Sequence, residues 1–147
     1  MDEQFKVRQF MVEVKGHQPP RQPTIPSELV GKLCMALITE EFAELELAVS
    51  HNDITEIAHE LTDLLYVCYY MANAYGILID PIFSAIHQAN MAKKGAPKLE
   101  NGKQTKGPNY VKPDIASLIK AQQYQPISYD KDGNIVAYIN QEGKIVQ

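Results

Sequence analysis

Two long amphipathic segments, separated by only three turn residues, constrain this chain more than any other feature. The first runs from about Ser27 to Ser50, with Cys34, Ile38, Phe42, Leu45 and Val49 at helical spacing. The second runs to about Tyr75 and carries Ile57, Leu61, Leu64, Cys68 and Met71 on its core face. His51-Asn52-Asp53 joins them. Asp53 is a good helix N-cap, Glu56 completes a capping box, and Gly76 supplies the stop. A turn this short makes two helices antiparallel neighbours.

The rest of the chain hangs on that pair. Residues 2–15 read as a short helix with Phe5, Phe10, Met11 and Val14 as its apolar residues, ending at Gly16. Residues 16–26 hold four prolines and form an extended connector. Asp80-Pro81 reads as an N-cap followed by proline at the first helical position. The helix it opens points Ile82, Phe83, Ile86 and Ala89 inward and ends near Lys94-Gly95. Residues 95–113 are a Gly-, Pro- and Lys-rich loop or wrapping arm, and 114–124 a short helix. From Ile127 to Gln147 the pattern alternates between turn signals, as in a small β-meander. The fold expected is all-α, an antiparallel helical hairpin that completes a four-helix bundle on oligomerisation, with that small meander at the C-terminus. The division expected is a helical domain over 1–115 and an extension over 116–147.

Carboxylates dominate the chemistry. Glu41-x-x-Glu44 and Glu60-x-x-Asp63 each place two acids on one helical face. Antiparallel packing brings the two pairs to about the same level. From Leu64 to Ile79 no residue is charged, so Asp63 stands at the lip of an apolar stretch, where an unpaired carboxylate is costly. A hard divalent cation, Mg²⁺ or Mn²⁺, offsets that cost. Glu40 stands beside the set. Between Glu28 and Asp63 there are nine acids and one base, Lys32; between Lys93 and Lys112 there are six lysines and one acid, Glu100. An acidic cluster followed by a basic segment suits a metal–polyphosphate substrate, although two solvated faces of opposite sign would read the same way. Asn90-x-x-Lys93, followed by Lys94, places an amide and an ammonium where a sugar, base edge or phosphate can be held.

Other signals exclude more than they suggest. The net charge of −4 argues against nucleic-acid polymers as partners. The N-terminus lacks an apolar signal core, and the most apolar window, Leu61–Ile79, is interrupted by polar residues; the expectation is a cytoplasmic protein without a membrane partner. Cys34 and Cys68 read as reduced core residues. Glu56-x-x-His59 is a single pair, whereas di-iron bundles need two. His17 and His51 read as solvent-exposed, and His87 as a helix histidine or a substrate contact. Asp130-x-Asp132-x-Asn134 reads as a hairpin turn, because its glycine sits at position four rather than six of a Ca²⁺ loop.

The strings LITEEFAELELA, HELTDLLYV and HQANMAKKG together resemble the MazG-like, all-α NTP pyrophosphohydrolase superfamily. Its signature, EExxE followed by ExxD, falls on Glu40, Glu41, Glu44, Glu60 and Asp63. KGPNYVKPD looks like the tail of the phosphoribosyl-ATP pyrophosphohydrolase-like branch. The resemblance covers about residues 1–115. It implies Mg²⁺-dependent cleavage between the α- and β-phosphates of a nucleoside triphosphate by a homodimer or homotetramer. On this resemblance Glu41, Glu44, Glu60 and Asp63 hold the metal, and Glu40 or Glu41 orients the attacking water. Lys93, Lys94 and Lys106 hold the polyphosphate, and Asn90 and Tyr110 contact sugar or base. Two other functions stay open: hydrolysis of phosphoribosyl-ATP, and a non-catalytic helical interaction protein.

Overall fold

The computed structural model describes residues 2–122 and, for the backbone alone, 126–129, 135–139 and 145–146. Five helices form the fold: α1 (Asp2–Glu13), α2 (Glu28–His51), α3 (Ile54–Ala74), α4 (Ile79–Met91) and α5 (Ile115–Ala121). The remaining backbone segments, Pro126–Tyr129 (β1), Ile135–Ile139 (β2) and Ile145–Val146 (β3), pair antiparallel in the order β1-β2-β3. The turns expected at 130–134 and 140–143 lie outside the described residues. Among the described residues no helix is long and apolar enough to cross a membrane.

Local chemistry explains where α2 and α3 begin and end. The Ser27 side chain accepts from the Val30 N–H, and Asp53 accepts from the Thr55 and Glu56 N–H groups, so each cap satisfies donors the first helical turn leaves free. Asn52 takes the left-handed conformation (φ 55°) that reverses the chain between them. The two helices pack on each other along their length, Cys34 near Ala74 at one end and His51 near Glu56 at the other.

α1 lies across α3 and presents Gln4, Val7 and Met11, all buried, rather than the Phe5 and Val14 expected, which are exposed. Met11, Cys34 and Ala74 form the core, with Val30, Tyr70, Met71 and Tyr75 packed around it. One polar network pins this junction. Gln4 Nε2 donates to Asn73 Oδ1 (3.1 Å) and to the Ile77 carbonyl (2.6 Å), and Asn73 Nδ2 donates to the Gln4 carbonyl (3.0 Å). Asn73→Leu takes one acceptor from Gln4 Nε2, which keeps the Ile77 carbonyl, and the amide donor from the Gln4 carbonyl, in a buried site where each lost bond costs about 1–3 kcal/mol. A urea melt will show the variant destabilised by about 2–5 kcal/mol; a change below about 0.5 kcal/mol means that water replaces the amide.

The connector returns beside the end of α3, where the Thr24 N–H donates to the Tyr75 carbonyl (3.0 Å). Gly76 sits at φ 65°, and a Cβ there would meet the Gln22 backbone oxygen at 2.2 Å, so both conformation and space require glycine.

α4 starts differently from the expectation. Its N-cap is Leu78, without a side-chain cap, and Asp80 lies inside the first turn. The free amides are met from a distance: Gln122 Oε1 accepts from the Leu78 N–H (2.9 Å) and Gln4 Oε1 from the Ile79 N–H (3.1 Å). The helix ends at Met91, before the turn over 92–95. Of its expected inward residues, Ala89 is buried, while Phe83 (66%) and Ile86 are exposed. Phe42, Val49, Leu61 and Cys68, also expected in the core, are exposed too. These corrections share one cause: the apolar periodicity is real, but among the described residues only a narrow stripe of each helix is covered.

Candidate metal and phosphate site

The antiparallel course of α2 and α3 sets Glu41 and Glu44 against Glu60. One carboxylate oxygen from each of these three lies within 4.8 Å of the others. Partial burial pushes the Glu41 carboxyl above its usual range, and the negative charges of Asp63, Glu44, Glu40 and Glu60 add to the shift. All five acids singled out in the sequence are therefore close enough to be felt at one point. Among the described residues no lysine or arginine pairs with any of them. Hard oxygen donors without a lysine or arginine to neutralise them fit a divalent cation such as Mg²⁺ or Mn²⁺.

Two histidines border this cluster that the sequence did not single out for it. His59 Nε2 lies 3.2 Å from Asp63 Oδ2, and its Nδ1 lies 3.4 Å from Glu60 Oε1. The i, i+4 spacing of His59 and Asp63 carried that signal. His51 Nδ1 lies 2.9 Å from Glu56 Oε2, across the turn between the helices. A cavity of about 310 Å³ opens beside the carboxylates, lined by Glu44, Leu47, Ala48, His51, Glu56 and Glu60.

Like charges held together cost folding energy, so metal-free protein gains from losing one. Glu41→Gln will raise the stability of metal-free protein at neutral pH by a few tenths of a kcal/mol. The pH sign follows from the raised Glu41 carboxyl. Its contribution is present below the ordinary carboxylate value and is lost as pH rises through the folded value. Thermal melts in chelator should show that loss in the native sequence and a smaller one in Glu41→Gln. Equal slopes would mean that the charges do not oppose folding.

The basic residues form a second group, at the end of α4 and on the arm that follows. Lys93 Nζ donates to Asn90 Oδ1 at 2.6 Å, so the Asn90 acceptor is already engaged. The Lys93 ammonium lies 5.4 Å from the centre of the Tyr110 ring and the Lys106 ammonium 5.0 Å from it. The structure thus brings Asn90, Lys93, Lys106 and Tyr110 together. Lys94, the next residue, is exposed. The arm is held by the Gln104 side chain, which donates to the Lys93 and Ala96 carbonyls, and by a bridge between Lys98 and Gln104.

No curated protein matches the chain. A family model, phosphoribosyl-ATP pyrophosphohydrolase, matches residues 7–90, more than half of the chain. The matched span contains α2, α3 and all five acids, and it ends before Lys93, Lys94, Lys106 and Tyr110. The family implies a divalent-metal-dependent pyrophosphohydrolase that acts on acid anhydrides. The chain belongs to the phosphoribosyl-ATP pyrophosphohydrolase family, within the MazG-like all-α NTP pyrophosphohydrolase superfamily.

Proposed function

We propose that this protein is a Mg²⁺-dependent nucleoside triphosphate pyrophosphohydrolase that converts an NTP or dNTP to the monophosphate and pyrophosphate, in cytoplasmic nucleotide-pool housecleaning. The observation that carries the reading is the convergence of carboxylates from two helices, with no lysine or arginine paired to them among the described residues, beside an open cavity. Glu41, Glu44, Glu60 and Asp63 hold Mg²⁺, with Mn²⁺ as a substitute. When bound, the cation neutralises charge that develops on the phosphate oxygens. Glu40 or Glu41 orients a water in line with the α-phosphorus and accepts its proton. Lys93, Lys94 and Lys106 hold the leaving pyrophosphate, with Asn90 and Tyr110 on the same substrate-binding side. The catalytic domain is residues 1–115, and residues 116–147 form a C-terminal extension with the small β-meander.

The working unit in this reading is a homodimer or homotetramer whose α2–α3 pairs meet in a four-helix bundle. Support comes from the uncovered apolar faces. On α3, Ile54 (76%), Leu61 (46%), Leu65 (53%) and Cys68 are exposed at the spacing of a coiled-coil seam. On α2, Met35, Phe42 and Val49 are exposed at seven-residue spacing. Apolar faces of this extent mark an association surface.

Hydrolysis of phosphoribosyl-ATP is the second reading, favoured by the description of the matching family. A panel of NTPs, dNTPs and phosphoribosyl-ATP, compared by kcat/KM for pyrophosphate release, decides between them. Preference for one nucleoside triphosphate supports housecleaning, and preference for phosphoribosyl-ATP replaces it. Turnover of none leaves a helical interaction protein.

A further inference from the structure

Two ammonium groups share one aromatic ring at the end of α4. Lys93 lies 5.4 Å and Lys106 5.0 Å from the centre of the Tyr110 ring. Among the described residues neither lysine pairs with a carboxylate. Two cations drawn to one ring repel each other, yet the local folding holds both there. Gln104 ties the arm to the Lys93 carbonyl (3.2 Å), the Thr105 N–H donates to the Pro97 carbonyl (3.0 Å), and the Tyr110 N–H donates to the Gly107 carbonyl (3.0 Å). Gly107 lets the arm fold back on its own start after α4, since a Cβ there would lie 3.2 Å from the Ala96 Cβ. Asn90 fixes Lys93 from the helix side at 2.6 Å. The negative face of an aromatic ring attracts an ammonium group and keeps its other hydrogens free to donate.

We propose that Tyr110 is a positioning residue, whose ring holds Lys93 and Lys106 so that one di- or triphosphate chain bridges both. The two ammonium groups are no further apart than their two distances to the ring together, a span that a polyphosphate covers. The ring then acts through the lysines, and its hydroxyl is dispensable. The proposal rests on the pyrophosphohydrolase reading for the identity of the anion, though not for its test.

The test is calorimetric titration of the whole protein with pyrophosphate in Mg²⁺, which needs no turnover. Tyr110→Leu keeps apolar bulk and removes the ring; Tyr110→Phe keeps the ring and removes the hydroxyl. Tyr110→Leu should bind pyrophosphate roughly tenfold more weakly, and Tyr110→Phe within about twofold of the native protein. With the preferred nucleotide, Tyr110→Leu should raise KM by a similar factor and leave kcat within about twofold. Thermal melts confirm that both variants fold; if Tyr110→Leu does not, Lys106→Ala in its place should weaken binding by a similar factor. Native affinity in Tyr110→Leu, or an equal loss in Tyr110→Phe, would overturn the proposal, as would absence of pyrophosphate binding by the native protein. Failure of the nucleotide panel with the binding pattern intact would instead count against the catalytic reading alone.

Discussion

Asp63→Asn will reduce Mg²⁺-dependent pyrophosphate release by at least about 100-fold. Residues that only support metal ligands cost about 10–100-fold when replaced, and Asp63 is proposed to touch the metal directly. The amide keeps the shape of the side chain and one acceptor oxygen but loses the charge. Asp63 is also the carboxylate whose charge acts most strongly on Glu41. The variant should therefore bind Mg²⁺ more weakly while folding at least as well as the native chain without metal. Turnover within about threefold of native would remove Asp63 from the metal site. The His59 contact with Asp63 Oδ2 gives a second way to see the change. Replacing Oδ2 changes what the His59 ring can bond to, and imidazole chemical shifts at a fixed pH will report it.

The second large effect is on assembly. Leu65 is half-exposed on α3, on the same seam as Ile54, Leu61 and Cys68. Leu65→Glu places a carboxylate in the proposed contact between copies. Desolvating an unpaired charge there costs at least about 4 kcal/mol, which weakens association about a thousandfold. Light scattering after gel filtration should find a dimer or tetramer for the native protein and a monomer for Leu65→Glu. A native monomer, or an unchanged oligomer in the variant, would show that α3 faces solvent or another partner.

How much of this was legible in the sequence depends on how local the cause is. Ser27 and Asp53 cap their helices with their own side chains, so the starts of α2 and α3 could be read from single positions. The start of α4 could not. Asp80-Pro81 has the look of a cap, but the amides at Leu78 and Ile79 are satisfied by Gln122 and Gln4, which are distant in sequence. The buried face of α1 is legible at Met11 but not at Gln4, for a related reason: Gln4 is polar, and only its network with Asn73 makes it a core residue. Periodicity predicts burial of Phe42, Leu61 and Phe83, but it shows only that a face is apolar and not that anything covers it.

The candidate site divides in the same way. The spacing of Glu41, Glu44, Glu60 and Asp63 places them together as soon as α2 and α3 are antiparallel, and the structure brings the first three within 4.8 Å of one another. In the sequence His59 stands out only as half of a Glu-x-x-His pair, a pattern that does not reveal its contact with Asp63 one turn later. The grouping of Lys93, Lys106 and Tyr110 depends on the path of a loop, which no periodicity encodes.

The most direct measurement is the identity of the products. Phosphorus NMR of the native protein with Mg²⁺ and its preferred nucleoside triphosphate should show the monophosphate and pyrophosphate appearing together in equal amounts, with neither in chelator. Formation of the diphosphate and inorganic phosphate would contradict the account, because the anhydride cleaved would then be the terminal one.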